Sequence, residues 1–143
     1  MMINGALVTP LLMIKTPGGD VMHAMKQSDS GYVGFGEAYF SEVLYGAVKA
    51  WKRHREMTLN LVVPAGKVRF VLYDDREGRQ SFQEVVLSPS DYCRLTVPPM
   101  VWVGFQGLSR EGSMVLNIAN LEHDPQEVDR QEINKIDYNW ETT

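Results

Sequence analysis

A series of short strand-like segments between Met57 and Ala119 is the feature that most constrains how this chain can fold. The segments are rich in β-branched and aromatic residues and are separated by turns such as Pro64-Ala-Gly66. Several alternate apolar and polar residues; Lys67 to Tyr73, for example, directs three apolar side chains to one face, Val68, Phe70 and Leu72. Short strands at intervals of roughly ten residues predict an all-β fold, either a sandwich or a barrel.

The segment from Phe40 to Arg55 fits a helix and a strand about equally well. Apolar residues recur in it at helical spacing: Phe40, Val43, Leu44, Ala47, Val48 and Trp51. Against a helix stand Gly46 in the middle of the segment and the β-branched and aromatic residues around it. The periodicity alone therefore leaves both structures open.

The polar tail from Asp124 onward shows no long periodic pattern, and we expect it to be short and irregular. Asp124-Pro125 is a suitable start for a short helical turn, because aspartate caps a helix and proline tolerates its first position. Tyr138 and Trp140 are expected to anchor the tail against the rest of the domain.

Length, charge and cysteine content exclude several classes of protein. The 143 residues predict one domain, 1–143. A formal net charge of −4 without a Lys/Arg block argues against nucleic acid and anionic membranes as partners. No apolar run approaches the roughly 20 residues of a membrane-spanning helix. The single cysteine, Cys93, excludes an internal disulfide framework, and we expect a cytoplasmic protein.

The stretch from Gly46 to Gly66 resembles the first motif of the cupin superfamily, which is G, five residues, HxH, three or four residues, E, six residues, G. The spacing fits without a gap, with Lys52 at the first His, His54 at the second and Leu59 at the Glu. The second motif, PxGxxH, falls on Pro98 to Val103, with Val103 at the His. The resemblance implies a cupin-type jelly-roll barrel.

The same comparison predicts that the protein binds no metal. A cupin metal centre needs several imidazole and carboxylate ligands around one ion. Three of the four ligand positions hold a lysine, a leucine and a valine, and only His54 is a competent donor.

A narrower resemblance covers most of the chain. An ordered set of segments is similar to the dTDP-4-dehydrorhamnose 3,5-epimerase family and the related dTDP-sugar ketoisomerases: Gly36–Val43, Gly46–Trp51, Val71–Arg76, Ser81-Phe82, Val97–Phe105 and Ile136–Trp140. The resemblance implies a metal-free barrel, dimeric as is usual in the family, that acts on a nucleotide-linked 4-keto-6-deoxy sugar. It also favours strands over a helix at Ala38–Val43 and Val48–Arg53.

The resemblance implies that the usual catalytic His and Tyr are substituted here. In the epimerase pattern, the His that acts as the base falls on Lys52, and the Tyr that acts as the acid falls on Asn117. A second His falls on Val103, and the basic residue that approaches the phosphates falls on Lys49. The ketoisomerase relatives carry an HxH whose second His matches His54.

Lys52 and His54 are the candidate catalytic residues. They are two residues apart, so on a strand both side chains project from one face. A lysine desolvated inside a barrel has a lowered pKa and can act as a base, whereas a charged lysine would bind phosphate or an enolate oxygen. The candidate substrate-binding residues are Lys49, Arg76, Asn117 and Tyr39. For Arg76 the alternative is a salt bridge within its turn, and for Tyr39 it is packing.

These observations lead to two hypotheses. The first is a metal-independent epimerase or isomerase, without a cofactor, that acts on a nucleotide-linked 4-keto-6-deoxy sugar in polysaccharide or deoxysugar biosynthesis. The second is a non-catalytic cupin that binds a nucleotide sugar or scaffolds a partner. One open cavity containing the candidate residues would favour the first, and a cavity plugged by Trp51, Trp102 or Met57 would favour scaffolding. We also expect a homodimer, because the apolar segment Leu7 to Ile14 has no obvious place in a single barrel.

Overall fold

The structure is a computed structural model that describes residues 2–141. No helix in this part of the chain is long and apolar enough to cross a membrane. Short 3₁₀ turns lie at Arg76–Gly78, Pro125–Glu127 and Ile133–Lys135. The strands are β1 (Leu7–Pro10), β2 (Met13–Ile14), β3 (Val21–Met22), β4 (Glu37–Val43), β5 (Val48–His54), β6 (Leu59–Ala65), β7 (Val68–Asp74), β8 (Ser81–Leu87), β9 (Cys93–Val97), β10 (Trp102–Gly107), β11 (Ser113–Ala119) and β12 (Val128–Arg130).

The predicted all-β fold is confirmed: ten of the strands of residues 2–141 form two five-stranded antiparallel sheets, and β2 and β3 pair separately. Sheet one has the order β1-β9-β6-β11-β4, and sheet two has the order β12-β5-β10-β7-β8. One hydrophobic core contains residues of both sheets, among them Leu61, Val68, Phe70, Leu72 and Leu95. The alternation in β7 is as predicted, because Val68, Phe70 and Leu72 are all fully buried in that core.

The ambiguous segment forms two strands, as the family resemblance implies. Strands β4 and β5 are separated by a turn in which Gly46 has a φ of 78°. Residues with a Cβ rarely adopt this left-handed conformation, whereas glycine does so at little cost. The glycine therefore permits the turn by which the chain passes from β4 in sheet one to β5 in sheet two.

The expectation that Leu7 to Ile14 has no place in a single domain is wrong. Strand β1 pairs with β9 along its whole length, with Leu7 opposite Thr96 and Pro10 opposite Cys93. The segment therefore extends sheet one by an edge strand, although Leu7 and Val8 remain 37% and 36% exposed.

The C-terminal tail is more regular than the sequence indicates. Its residues Val128 to Arg130 form β12, which pairs with β5, and the Asp124 side chain caps the preceding turn as predicted. Beyond this strand, Tyr138 and Trp140 pack on the outer face of sheet two, in an aromatic cluster that includes Trp51. The tail is therefore anchored as expected, and it also contributes a strand beside the candidate site.

Candidate active site

A cavity of about 460 Å³ opens between the two sheets. It is lined by five of the residues singled out in the sequence: Tyr39, Lys49, Lys52, His54 and Asn117. Trp51 also contributes to the lining, and Trp102 and Met57 do not. The candidate residues therefore converge in one open cavity, which is the arrangement that favours catalysis over scaffolding.

Strand β5 directs Lys49, Lys52 and His54 into the cavity. The two-residue spacing of Lys52 and His54 places them on one face of the strand, as predicted. Lys49 is three residues from Lys52 and would face the other way in a regular strand. The pairing with β10 is irregular here, because Val103 lies opposite Lys52 while Phe105 lies opposite Lys49. This bulge in β5 restores Lys49 to the inner face.

His54 is buried and hydrogen-bonded to the carboxylate of Glu127. Its Nδ1 lies 2.7 Å from Glu127 Oε1, and its side chain is 9% exposed. Burial lowers the pKa of His54, and the positive charges of Lys52 and Arg130 lower it further. The hydrogen bond and negative charge of Glu127 raise the pKa, but the net shift is downward. The carboxylate fixes the proton on Nδ1, so Nε2 of the neutral ring keeps its lone pair and can accept a proton.

Glu127 is itself held in place by the backbone. Its Oε2 accepts hydrogen bonds from the amides of Glu56 at 2.9 Å and Met57 at 2.8 Å. Burial would raise the pKa of Glu127, but the hydrogen bonds from His54 and from the two amides outweigh it, and the net shift is downward. A buried carboxylate with three donors is both charged and rigid, so it orients the imidazole.

Lys52 has an amine without a hydrogen-bond or ion-pair partner among residues 2–141. It is half-buried, and Arg130 lies directly opposite it on β12. Burial lowers the pKa of Lys52, and the positive charges of Arg130 and Lys49 lower it further. Within the described part of the chain, no carboxylate lines the cavity to offset these charges.

Tyr39 and Asn117 face each other across β4 and β11, on the wall of the cavity that sheet one provides. Asn117 Nδ2 donates a hydrogen bond of 2.9 Å to the Tyr39 hydroxyl oxygen. The Tyr39 hydroxyl can therefore direct its own proton elsewhere. Burial raises the pKa of Tyr39, although the hydrogen bond from Asn117 opposes this, so the hydroxyl is protonated at neutral pH.

Arg76 is the predicted site residue that the structure keeps out of the cavity. It does not line the cavity, and its guanidinium forms hydrogen bonds of 2.8 and 3.0 Å with the carboxylate of Asp74. A further bond of 2.7 Å goes to the carbonyl of Asn4. Arg76 therefore forms the salt bridge within its turn that was the alternative, and its assignment to substrate binding stays a prediction.

The residues aligned with the cupin metal ligands share this cavity, which is lined by Lys52, His54, Leu59 and Val103. Only the imidazole is a good donor at neutral pH, because the amine binds a metal weakly and the aliphatic side chains have no donor atom. The donor set does not fit a cupin metal centre. No three His, Cys, Asp or Glu side chains of residues 2–141 are grouped in a way that could hold a metal ion.

Sequence reasoning missed Glu127 and Arg130, which both come from the tail. Glu127 is 73 residues from His54 in the sequence, and no local periodicity links the two. The available signal was the predicted turn at Asp124-Pro125, because this turn ends at Glu127 and the short strand after it carries Arg130 past β5. Asn117, predicted to bind substrate, contacts Tyr39 on the cavity wall.

Known proteins resemble this chain in both sequence and structure, although no family model matches it. A dTDP-sugar isomerase from Desulfovibrio desulfuricans G20 superposes with a TM-score of 0.90 and is 36% identical, covering 96% of this chain and 92% of that one. A probable low-salt glycan biosynthesis epimerase of Haloferax volcanii is 29% identical over 100 residues, which are 67% of this chain and 64% of that protein.

A third similarity concerns the fold alone. A sugar 3,4-ketoisomerase from Thermoanaerobacterium thermosaccharolyticum, solved with TDP-4-keto-6-deoxyglucose, superposes with a TM-score of 0.77 at 17% identity, covering 91% of this chain and 90% of that one. The predicted cupin-type fold is confirmed by these structures.

Proposed function

The chain belongs to the family of dTDP-sugar isomerases and epimerases, and from this premise we propose that it is a metal-independent epimerase or isomerase of a nucleotide-linked 4-keto-6-deoxy sugar. The proposal includes a role in polysaccharide or deoxysugar biosynthesis. The glycan biosynthesis epimerase of Haloferax volcanii supports that role, and it aligns with this chain over less than two thirds of its own length.

The observation that carries the proposal is the presence of a base and an acid on facing walls of one cavity. The base is His54 on sheet two, which is neutral and oriented by Glu127. The acid is Tyr39 on sheet one, which is protonated and oriented by Asn117. Removing a proton from one face of a carbon and returning one on the other face requires groups on opposite sides of the substrate. The keto group acidifies the adjacent C–H, so this chemistry needs no metal.

A gradient of exposure along β5 supports an orientation for the substrate. Lys49 is exposed, Lys52 is half-buried and His54 is buried, while Arg130 is exposed beside them. The exposed cations suit the diphosphate, which retains charge and solvent contact, and the buried imidazole suits the sugar ring. We therefore assign Lys49 and Arg130 to the diphosphate and the inner residues to the sugar.

The test is exchange of a substrate C–H with solvent deuterium. Wild-type protein incubated with dTDP-4-keto-6-deoxyglucose in D₂O should incorporate deuterium next to the keto group, as measured by NMR. His54→Asn should slow the exchange by about 10²-fold or more, because it removes the base. His123→Asn is the matched control, since that histidine is exposed and outside the cavity. Binding without exchange in the wild type would support a non-catalytic nucleotide-sugar-binding cupin instead.

The proposal also includes a cytoplasmic homodimer. Both sheets end in edge strands, and the exposed apolar side chains Leu7 and Val8 lie on the edge strand β1. Edge strands and exposed apolar side chains favour association with a second copy of the chain. Light scattering at micromolar concentration should give the mass of two chains, and a monomeric mass would contradict the dimer. A reducing compartment is compatible with a single cysteine.

A further inference from the structure

The amine of Lys52 has no function in the acid–base scheme above. His54 and Tyr39 already supply a base and an acid, and the exposed cations Lys49 and Arg130 suit the diphosphate. Lys52 lies between these two regions, on the same strand face as His54 and two residues from it. Its amine is therefore next to the position proposed for the sugar ring.

The surroundings of Lys52 favour a neutral, nucleophilic amine. Arg130 lies directly opposite it on β12, and Lys49 lies on the same face. Like charges that face each other across strands are destabilising, and losing the proton from Lys52 relieves this repulsion. Much of the cavity wall around the amine is apolar, including Leu61, Val103, Phe105 and Val115, which further disfavours the ammonium form. A lysine in an apolar pocket next to another cation is a recognised arrangement for Schiff-base formation.

We propose that Lys52 acts as a nucleophile that forms an imine with the 4-keto group of the sugar, an inference that rests on the proposed function. A protonated imine withdraws electrons from the adjacent carbon more strongly than a ketone does. The imine would therefore supply the acidification that a metal or an oxyanion site provides elsewhere.

The reaction balances without an oxidant or a reductant. The Nζ lone pair attacks the carbonyl carbon, the C–O π electrons move to oxygen, and proton transfer gives a carbinolamine. A proton from solvent is added to the carbinolamine hydroxyl, and loss of water then forms the protonated imine. His54 Nε2 then removes the adjacent C–H proton, and the C–H electron pair forms the C=C bond of a neutral enamine. Tyr39 returns a proton to the other face of the carbon, which restores the protonated imine. Addition of water then releases the ketone, regenerates the neutral amine and gives one proton back to solvent. The proton on His54 passes to the Tyr39 phenolate through water, so both groups regain their starting states.

Trapping with borohydride tests the proposal. Wild-type protein is mixed with dTDP-4-keto-6-deoxyglucose and sodium cyanoborohydride, digested, and analysed by mass spectrometry. We expect a substrate-derived adduct on the peptide that contains Lys52, formed only when the sugar nucleotide is present. Lys52→Arg keeps the positive charge but cannot form the imine, so the adduct should disappear while binding of dTDP, measured by thermal shift, survives. Lys135→Arg, in the 3₁₀ turn at Ile133–Lys135, is the matched control and should leave the adduct unchanged.

The outcomes separate this proposal from the one on which it rests. Deuterium exchange in the wild type without an adduct on Lys52 would overturn the imine and leave the acid–base enzyme intact. An adduct spread equally over Lys52, Lys49 and Lys135 would also overturn it, because it would reflect non-specific reduction. Absence of both exchange and adduct would overturn the enzyme proposal itself. Because the first measurement uses wild-type protein, it does not depend on the folding of any variant.

Discussion

Replacing Glu127 with Gln separates the catalytic from the structural contribution of its contact with His54. Glu127 accepts three hydrogen bonds, from His54 Nδ1 and from the amides of Glu56 and Met57. Glutamine has nearly the same shape but only one oxygen, so that oxygen stays with the two amides and the NH₂ group turns to His54. The imidazole must then accept this hydrogen bond at Nδ1 and carry its own proton on Nε2, which leaves no lone pair facing the cavity.

The magnitudes follow from these contacts. Hydrogen bonds to a charged group contribute about 1.5–3 kcal/mol each and neutral ones about 0.5–1.5 kcal/mol, so making all three bonds neutral in Glu127→Gln should lower the free energy of unfolding by about 3–4.5 kcal/mol. Glu127→Ala removes all three acceptors from a buried site and should cost about 3–5 kcal/mol. The wrong tautomer should reduce deuterium exchange by about 10³-fold or more, as it does for the asparagine variant of the triad aspartate in serine proteases.

The assay combines urea unfolding, followed by tryptophan fluorescence, with substrate exchange in D₂O. Asp129→Asn is the matched control, because Asp129 lies two residues away on β12 and pairs with Arg53 and Arg55 rather than with a cavity residue. It should leave the exchange rate unchanged. Deuterium exchange at the wild-type rate in the Glu127→Gln variant would refute the tautomer assigned to His54. A loss of less than about 1 kcal/mol in Glu127→Ala would refute the buried network, since a single neutral hydrogen bond contributes about that much.

Three further predictions concern pH, the core and the acid. Burial lowers the pKa of His54 in the folded protein below the ordinary value of about 6.5, so the unfolded chain binds more protons at pH values between the two. The free energy of unfolding should therefore fall as the pH drops from about 6.5 through the folded pKa. In urea titrations at several pH values, His54→Asn should reduce the dependence of this free energy on pH. Arg94 is fully buried and donates hydrogen bonds to the carbonyls of Ala24 and Ser30. Arg94→Met should therefore lower the free energy of unfolding, measured in urea, by about 3–5 kcal/mol. A loss under about 1 kcal/mol would contradict this expectation. Tyr39→Phe should slow deuterium exchange by about 10²-fold while the thermal shift caused by dTDP persists, and exchange at the wild-type rate would exclude Tyr39 as the acid.

The sequence determined the features that depend on local periodicity and side-chain chemistry. Alternation with a period of two identified β7 and the three side chains that it directs into the core between the sheets. The spacing of Lys52 and His54 put both on one face of β5, because successive side chains of a strand point to opposite sides. The residue types at the positions aligned with the cupin ligands show that the donor set does not fit a cupin metal centre, since coordination depends on donor atoms that a leucine or a valine lacks. The resemblance of ordered segments supplied the fold where periodicity was ambiguous.

Only the tertiary structure decided which distant residues meet in the cavity. Glu127 reaches His54 because β12 pairs with β5, a register that no local pattern in the tail encodes. Lys49 reaches the inner face through a bulge, and Arg76 is held away from the cavity by Asp74. Periodicity records which face of a strand is buried, whereas the partner across that face depends on strand order and register. These are fixed by the packing of the whole chain, which is why the orientation of the candidate base could not be derived from its neighbours in the sequence.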